Sequence, residues 1–222
     1  MPDQIVGRSR RVRRNASGVQ LGEEAARNRV LQGGARVFAH SGARLASVED
    51  ILDASGVSRR TFYRFFRSKD DVLLALYELG TEALLRACRS AVQGVRDPRA
   101  RLERCVDAHL DNARRLPRLM FVLGGEAQHH ESRLHARRMA VQDELAALLA
   151  HGSVDAPEAL VVRGLIFALE GLVRLALQKG DEGRAVSVAA LAAVRVAMQQ
   201  LCAAVWPSAP DGHTSVPAGG YA

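Results

Sequence analysis

Cysteine and aromatic residues are scarce in this chain. Its 222 residues hold three cysteines, Cys88, Cys105 and Cys202, and aromatic side chains make up 5%. An odd, widely spaced set without a CxxC pair excludes a disulfide framework and a zinc finger. The plain reading is three small buried apolar residues, and the alternative that stays open is a redox switch. Uninterrupted apolar runs of about 18 residues are also missing, so no transmembrane helix is expected. The opening stretch MPDQIVGRSRRVRRNASG is basic but lacks the apolar core of a secretion signal, and a cytoplasmic protein is expected. There is no Gly-rich phosphate loop, nucleophile elbow or credible triad, and Gly124-Gly125 is too short for a cofactor loop. No enzymatic activity and no cofactor are therefore expected.

A metal centre is tempting at Glu126, His129, His130, Glu131 and His135. Glu126 and His130 can share a helix face, as can Glu131 and His135. The two pairs are offset along the chain and would not converge on one ion, and no HExxH is present. A solvated polar face without metal is expected.

Hydrophobic residues make up 48% of the chain, which is not a disordered composition. The length admits one large domain or two small ones. The formal charge of +7 is uneven: residues 1–80 hold 14 Arg and Lys against 9 Asp and Glu, and residues 81–222 hold 17 against 15. The basic excess at the N-terminal end suits a polyanion partner.

Residues 1–20 read as a flexible arm, with Arg8, Arg10, Arg11, Arg13 and Arg14 crowded together without an apolar period. Such an arm is either a solvated tail or one that touches phosphates or a minor groove. From about Glu23 a helical period begins, with Val30, Leu31, Ala35, Phe38 and Ala39 on one side and Gly42 at its end. Gly33 and Gly34 cost it roughly 1 kcal/mol each relative to Ala, so tertiary packing must hold it. Ser47 caps a short second helix, Gly56 permits a tight turn, and Ser58 caps a third helix from Arg59 to about Phe65. Ser68 caps a fourth, bearing Val72, Leu73, Leu76 and Leu79.

Two short helices joined by a Gly turn form the helix-turn-helix pattern. The stretch GVSRRTFYRFFRSKDDVL, Gly56 to Leu73, resembles the DNA-binding signature of TetR-type transcriptional regulators. The resemblance extends upstream through RVLQGGARVFAHSGARLASVEDILDAS and so covers residues 29–73. It implies an all-α protein with an N-terminal three-helix helix-turn-helix DNA-binding domain, followed by a helical ligand-binding and dimerisation domain. The segments are then an arm at 1–20, a DNA-binding domain at 21–68, an effector and dimerisation domain at 69–206 and a disordered tail at 207–222. The function implied is a sequence-specific regulator, most often a repressor released from its operator by a small molecule. A helical ligand-binding protein or enzyme that retains a DNA-binding-like module is the alternative.

The residues fit that resemblance chemically. Ser58, Arg59 and Arg60 stand at the N-terminal end of the candidate recognition helix, where side chains meet base edges, and Arg can contact guanine bidentately. The family often has Gly at the position of Arg60. Thr61, Tyr63 and Lys69 match positions that bind the DNA backbone, and Ser47 is a cap whose counterparts also touch it. Phe62 and Phe66 read as core. Phe65, where relatives often carry His or Tyr, is assigned no contact.

Beyond residue 80 the pattern is helical throughout: Thr81 to about Val95, a helix opened by Asp97-Pro98, then 118–129, 131–151, Glu158–Lys179 and Val186–Val205. On the last, Leu191, Val194, Met198, Leu201 and Val205 recur in a 3-4-3-4 seam beside alanines. The resemblance implies that the last two helices of each subunit pair in a two-fold homodimer, and hence a near-palindromic double-stranded DNA operator. It also places an effector pocket among the middle helices, for which the candidates are Tyr77, Leu84, Cys88, Cys105, His109, Met120, Phe121 and Phe167. Their apolar majority points to a hydrophobic ligand.

Overall fold

The computed structural model describes residues 9–150, 157–178 and 188–206, with backbone alone for 9–21 and for 157–158. Among these, every regular element is a helix, as expected. They are α1 Ser9–Leu45, α2 Val48–Ser55, α3 Arg59–Phe65, α4 Lys69–Val92, α5 Pro98–Arg115, α6 Pro117–Glu126, α7 Arg133–Leu149, α8 Pro157–Gln178 and α9 Val188–Val205. The N-terminal arginine side chains, the loop at 152–156 and the tail at 207–222 lie outside the described residues.

Serines set the helix starts. Ser47, Ser58 and Ser68 each accept the backbone N–H of the residue three further on, Asp50, Thr61 and Asp71. Each thereby satisfies a donor that the first helical turn leaves orphaned. Ser47 and Asp50 form a reciprocal capping box. Gly56 ends α2 in the left-handed region at φ 64°, which a side chain would resist. Pro98 and Pro117 sit in the first turns of α5 and α6, where a missing N–H costs nothing.

Several boundaries differ from the sequence reading. The helical backbone of α1 begins at Ser9, inside the segment read as an arm; no proline stands between Ser9 and Leu45 to stop it. Two helices expected on either side of Gly80 are one, α4. There the Thr81 hydroxyl donates to the carbonyls of Tyr77 at 2.9 Å and Glu78 at 3.1 Å, and packing on both sides offsets the glycine. Residues 127–132 are turns rather than helix, so the Glu126–His135 stretch does not form one continuous face.

Contrary to the run-length expectation, α9 is long and apolar enough to cross a membrane by length and composition. Arg195, Gln199 and Gln200 interrupt the run and hide it from a strict count. In the fold one side of α9 packs into the second core. Leu191, Met198 and Cys202 are buried, and Arg195 pairs with Asp107 at 2.6 Å.

Two apolar cores form. The first gathers Val30, Phe38, Ile51, Phe62, Phe66 and Val72 from α1–α4, and also takes Leu119 and Leu123 of α6. The second joins α4, α5, α7, α8 and α9. α4 belongs to both: Val72, Leu73, Ala75 and Tyr77 lie in the first, Leu84, Leu85, Cys88 and Val92 in the second. The expected domain boundary at 68/69 thus falls at the start of a helix that the two cores share. Gly33 and Gly34 are the contact points of α1. A Cβ at Gly33 would lie 2.8 Å from the Ser55 Cβ, and one at Gly34 would lie 2.6 Å from the Val72 Cγ1.

Candidate nucleic-acid interface and ligand cavity

The recognition surface is built by anchoring one side of α3. Phe62 is fully buried and Phe66 nearly so. Their rings lie 6.0 Å apart, and the Phe62 ring meets that of Tyr63 edge-on at 5.3 Å. Burying this side turns Arg59, Arg60, Tyr63 and Arg64 outward, with Tyr63 47% exposed. Arg29 and Arg36 of α1 donate to the carbonyls of Gly56 and Ala54, which satisfies the end of α2 and fixes its angle to the turn.

The predicted contact residues occupy distinct places. Arg59 pairs with Glu49 of α2, both being largely exposed. An exposed pair of this kind is worth little and can be exchanged for a base edge. Arg60 is exposed and has no ion pair among the described residues. Ser58 and Thr61 share a hydroxyl–hydroxyl hydrogen bond of 2.8 Å at the helix start. The Ser47 hydroxyl accepts from the Asp50 N–H and donates to the Asp50 carboxylate at 2.7 Å, which holds that carboxyl below its usual range.

Lys69 has an occupation that the sequence did not suggest. Its Nζ donates to the carbonyls of Ala43 at 2.9 Å, Arg44 at 3.1 Å and Ala46 at 2.7 Å. An ammonium has three protons, and all three are used here. Lys69 therefore fastens the start of α4 to the end of α1. Next to it, Asp71 pairs with Arg133 of α7, and this with the Arg67 N–H holds its carboxyl below the usual range.

The second core encloses a cavity of about 110 Å³ between α4, α5, α6, α7 and α8. Seven of the eight candidates line it: Tyr77, Leu84, Cys88, Cys105, His109, Met120 and Phe121. Phe167 does not. It is 44% exposed, with the Arg138 guanidinium 5.6 Å from its ring centre. Its neighbours Ile166 and Leu169 take the inward positions of the helical period.

Sequence reasoning missed the polar wall. Arg138 grips Glu170 bidentately, Nε to Oε1 at 2.7 Å and Nη2 to Oε2 at 2.6 Å, and Gln142 donates to the same carboxylate at 2.8 Å. Arg174 lies 5.1 Å from the ring centre of Phe121, and its Nη1 is buried without a hydrogen-bond partner. The available signal was two charges, Glu170 and Arg174, one turn apart among Ile166, Leu169, Val173 and Leu177 on α8. Burial pushes the Tyr77 hydroxyl up and the His109 imidazole down. The Cys88 and Cys105 thiols interact, chiefly by a hydrogen bond that raises Cys88 and lowers Cys105.

The α9 seam needs correction. Leu191, Val194 and Met198 are buried within this chain, packed in the second core with Cys202. Only Leu201 and Val205 of the seam are exposed. The apolar surface left open runs instead along Leu160, Phe167 and Leu175 of α8 and Val196, Leu201 and Val205 of α9. The alternation counted from sequence caught the buried side of the helix for three of its five positions.

A capped helix pair around a left-handed glycine, with arginines on the open side of its second helix, defines a helix-turn-helix domain set on a helical body. Residues 30–76 match the family model of bacterial regulatory proteins of the tetR family. It is 31% identical over 97 residues to the HTH-type transcriptional activator FasR of Mycolicibacterium smegmatis, a match spanning 44% of each chain. The fold resembles that of the fatty acid degradation regulator FadR of Bacillus halodurans, with TM-score 0.66 at 22% identity over 80% of this chain and 94% of that one. It also resembles FadR of Bacillus subtilis, solved with stearoyl-CoA, with TM-score 0.63 at 16% identity over 77% and 96%. At these identities the structural likeness is one of fold.

Proposed function

We propose that this chain is a sequence-specific DNA-binding transcriptional regulator whose operator affinity is set by an apolar small molecule held in the second core. One observation carries the reading. α4 runs unbroken from Lys69, beside the recognition helix, to Cys88 in the cavity wall. α6 adds a second link. Met120 and Phe121 line the cavity, Leu119 and Leu123 sit in the first core, and the Arg118 Nε donates to the Ala39 carbonyl at 2.9 Å. A ligand that favours one position of α4 and α6 must shift the DNA-binding domain, in proportion to its differential affinity for the two arrangements.

Arg59 and Arg60 read bases, while Ser47, Ser58, Thr61 and Tyr63 meet phosphates. Lys69 sets the angle of α4 and acts on DNA indirectly. The protein works in the cytoplasm as a two-fold dimer on a near-palindrome, paired through the open faces of α8 and α9. Release of the protein from its operator by the ligand relieves repression where the operator overlaps a promoter. An acyl chain suits the apolar wall, and the fatty-acid regulators that share the fold support that choice.

The test is a mobility-shift titration on the DNA flanking the chain's own gene, with and without decanoate. Specific binding in the nanomolar range, weakened at least ten-fold by decanoate, is expected. Equal affinity for scrambled DNA would overturn the reading. Leu175→Glu with Val196→Glu is expected to yield folded monomers by light scattering and to abolish tight operator binding. A dimer that persists would place the interface elsewhere.

A further inference from the structure

We infer that Arg174 is an anchor for a carboxylate, so that the cavity selects an apolar carboxylic acid over a neutral lipid. The inference rests on the reading that the cavity binds an effector, and it begins from an unbalanced charge. Three charged side chains line the cavity: Arg138, Glu170 and Arg174. Glu170 stands one turn before Arg174 on α8, the usual spacing for an ion pair. Its oxygens are nevertheless committed, one to the Arg138 Nε and the other to the Arg138 Nη2 and the Gln142 Nε2. Arg138 and Glu170 cancel, leaving one positive charge.

No carboxylate among the described residues pairs with Arg174. The face of Phe121 attracts the cation but offers no lone pair to the N–H groups. Buried donors are almost always satisfied, so the orphaned Nη1 calls for an acceptor that the chain does not supply. The backbone makes room for the guanidinium. A Cβ on Gly125 of α6 would come within 2.6 Å of that nitrogen. The remaining wall, including Leu84, Leu102, Leu145, Leu149, Ile166 and Leu177, is aliphatic and suits a hydrocarbon chain. One surplus guanidinium beside an aliphatic cavity matches a molecule with a single carboxylate and an apolar body. Guanidinium and carboxylate pair bidentately, with a geometry no alcohol or ester reproduces.

The experiment is calorimetric titration of the full chain with decanoate, decanol and decanoyl-CoA. Decanoate is expected to bind at least ten-fold tighter than decanol, the discrimination of a charged hydrogen bond. Arg174→Gln should bring the two to parity by weakening decanoate while leaving decanol unchanged. Arg174→Lys should retain part of the preference, and Gly125→Ala, which displaces only the end of a flexible side chain, should reduce it. These two keep the test sound if the glutamine variant does not fold. Equal binding of decanol and decanoate to the unaltered chain would overturn the anchor and leave the effector cavity standing. So would an Arg174→Gln variant that keeps the ratio, or decanoyl-CoA binding tighter than decanoate. No binding of any of the three would overturn the effector reading itself, and the anchor with it.

Discussion

The two cores of this protein are packed to different standards. Around Phe38, Ile51, Phe62 and Val72 the helices close until backbones nearly touch, with Gly33 against Ser55 and Gly34 against Val72. Around Leu84, Leu145 and Leu169 they leave a cavity and admit an ion pair, a tyrosine and a histidine into its wall. A domain that reads DNA must hold α2 and α3 at a fixed angle, and close packing leaves it one arrangement. A domain that takes up a ligand must have unfilled space and a second arrangement within a few kcal/mol. α4 and α6 belong to both, which on the proposed reading lets a ligand in the loose core shift the tight one.

Four substitutions bear on that contrast. Met198→Ala carries the largest effect, because Met198 is fully buried and lies outside the wall of the cavity. Denaturant unfolding should show a loss of about 2–5 kcal/mol. A loss comparable to that of Leu201→Ala on the exposed side of α9 would mean the second core is loose throughout. Gly33→Ala comes next. Its new methyl meets the backbone nitrogen of Ser55 at 2.9 Å, which cannot swing aside. A loss of about 1–3 kcal/mol and weaker operator binding should follow, since α2 is pushed from α1.

The same kind of enlargement should be tolerated in the other core. Leu145→Phe places its extra atoms in the cavity, so stability should change by less than about 1 kcal/mol while the response to decanoate disappears. A response that persists would show that the ligand binds elsewhere. The smallest effect belongs to Asp71, which joins the first core to α7 through Arg133. Its carboxyl is held below the usual 3.8, so its contribution is complete above that value and is lost as pH falls through the lower folded value. Asp71→Asn should flatten the acid limb of a melting-temperature profile below pH 4 and leave the neutral limb slightly lowered. An unchanged acid limb would assign the linkage to another group.

Much of the helix-turn-helix half was legible because its signals are local. Ser47, Gly56, Ser58 and Ser68 act within three or four residues of themselves, and a capped turn needs no distant partner to be recognised. Seven cavity residues were legible for a related reason, since apolar or weakly polar side chains at helical spacing on middle helices tend to face inward. Phe167 failed because its helix presents apolar residues on more than one side. Periodicity then cannot say which side meets the core. The same ambiguity misplaced Leu191, Val194 and Met198.

The sequence by itself determined the helices, their caps, the turn between α2 and α3 and the outward arginines, because each follows from contacts made within a turn of the chain. Only the tertiary structure decided the roles of Lys69, Glu170 and Arg174. Lys69 is spent on three carbonyls at the end of α1 and just beyond it, more than 20 residues upstream. Glu170 is taken by a guanidinium from another helix, which leaves Arg174 with a nitrogen unmatched. A charge's partner is set by which helices come together, and that depends on where the cores close and where they stay open.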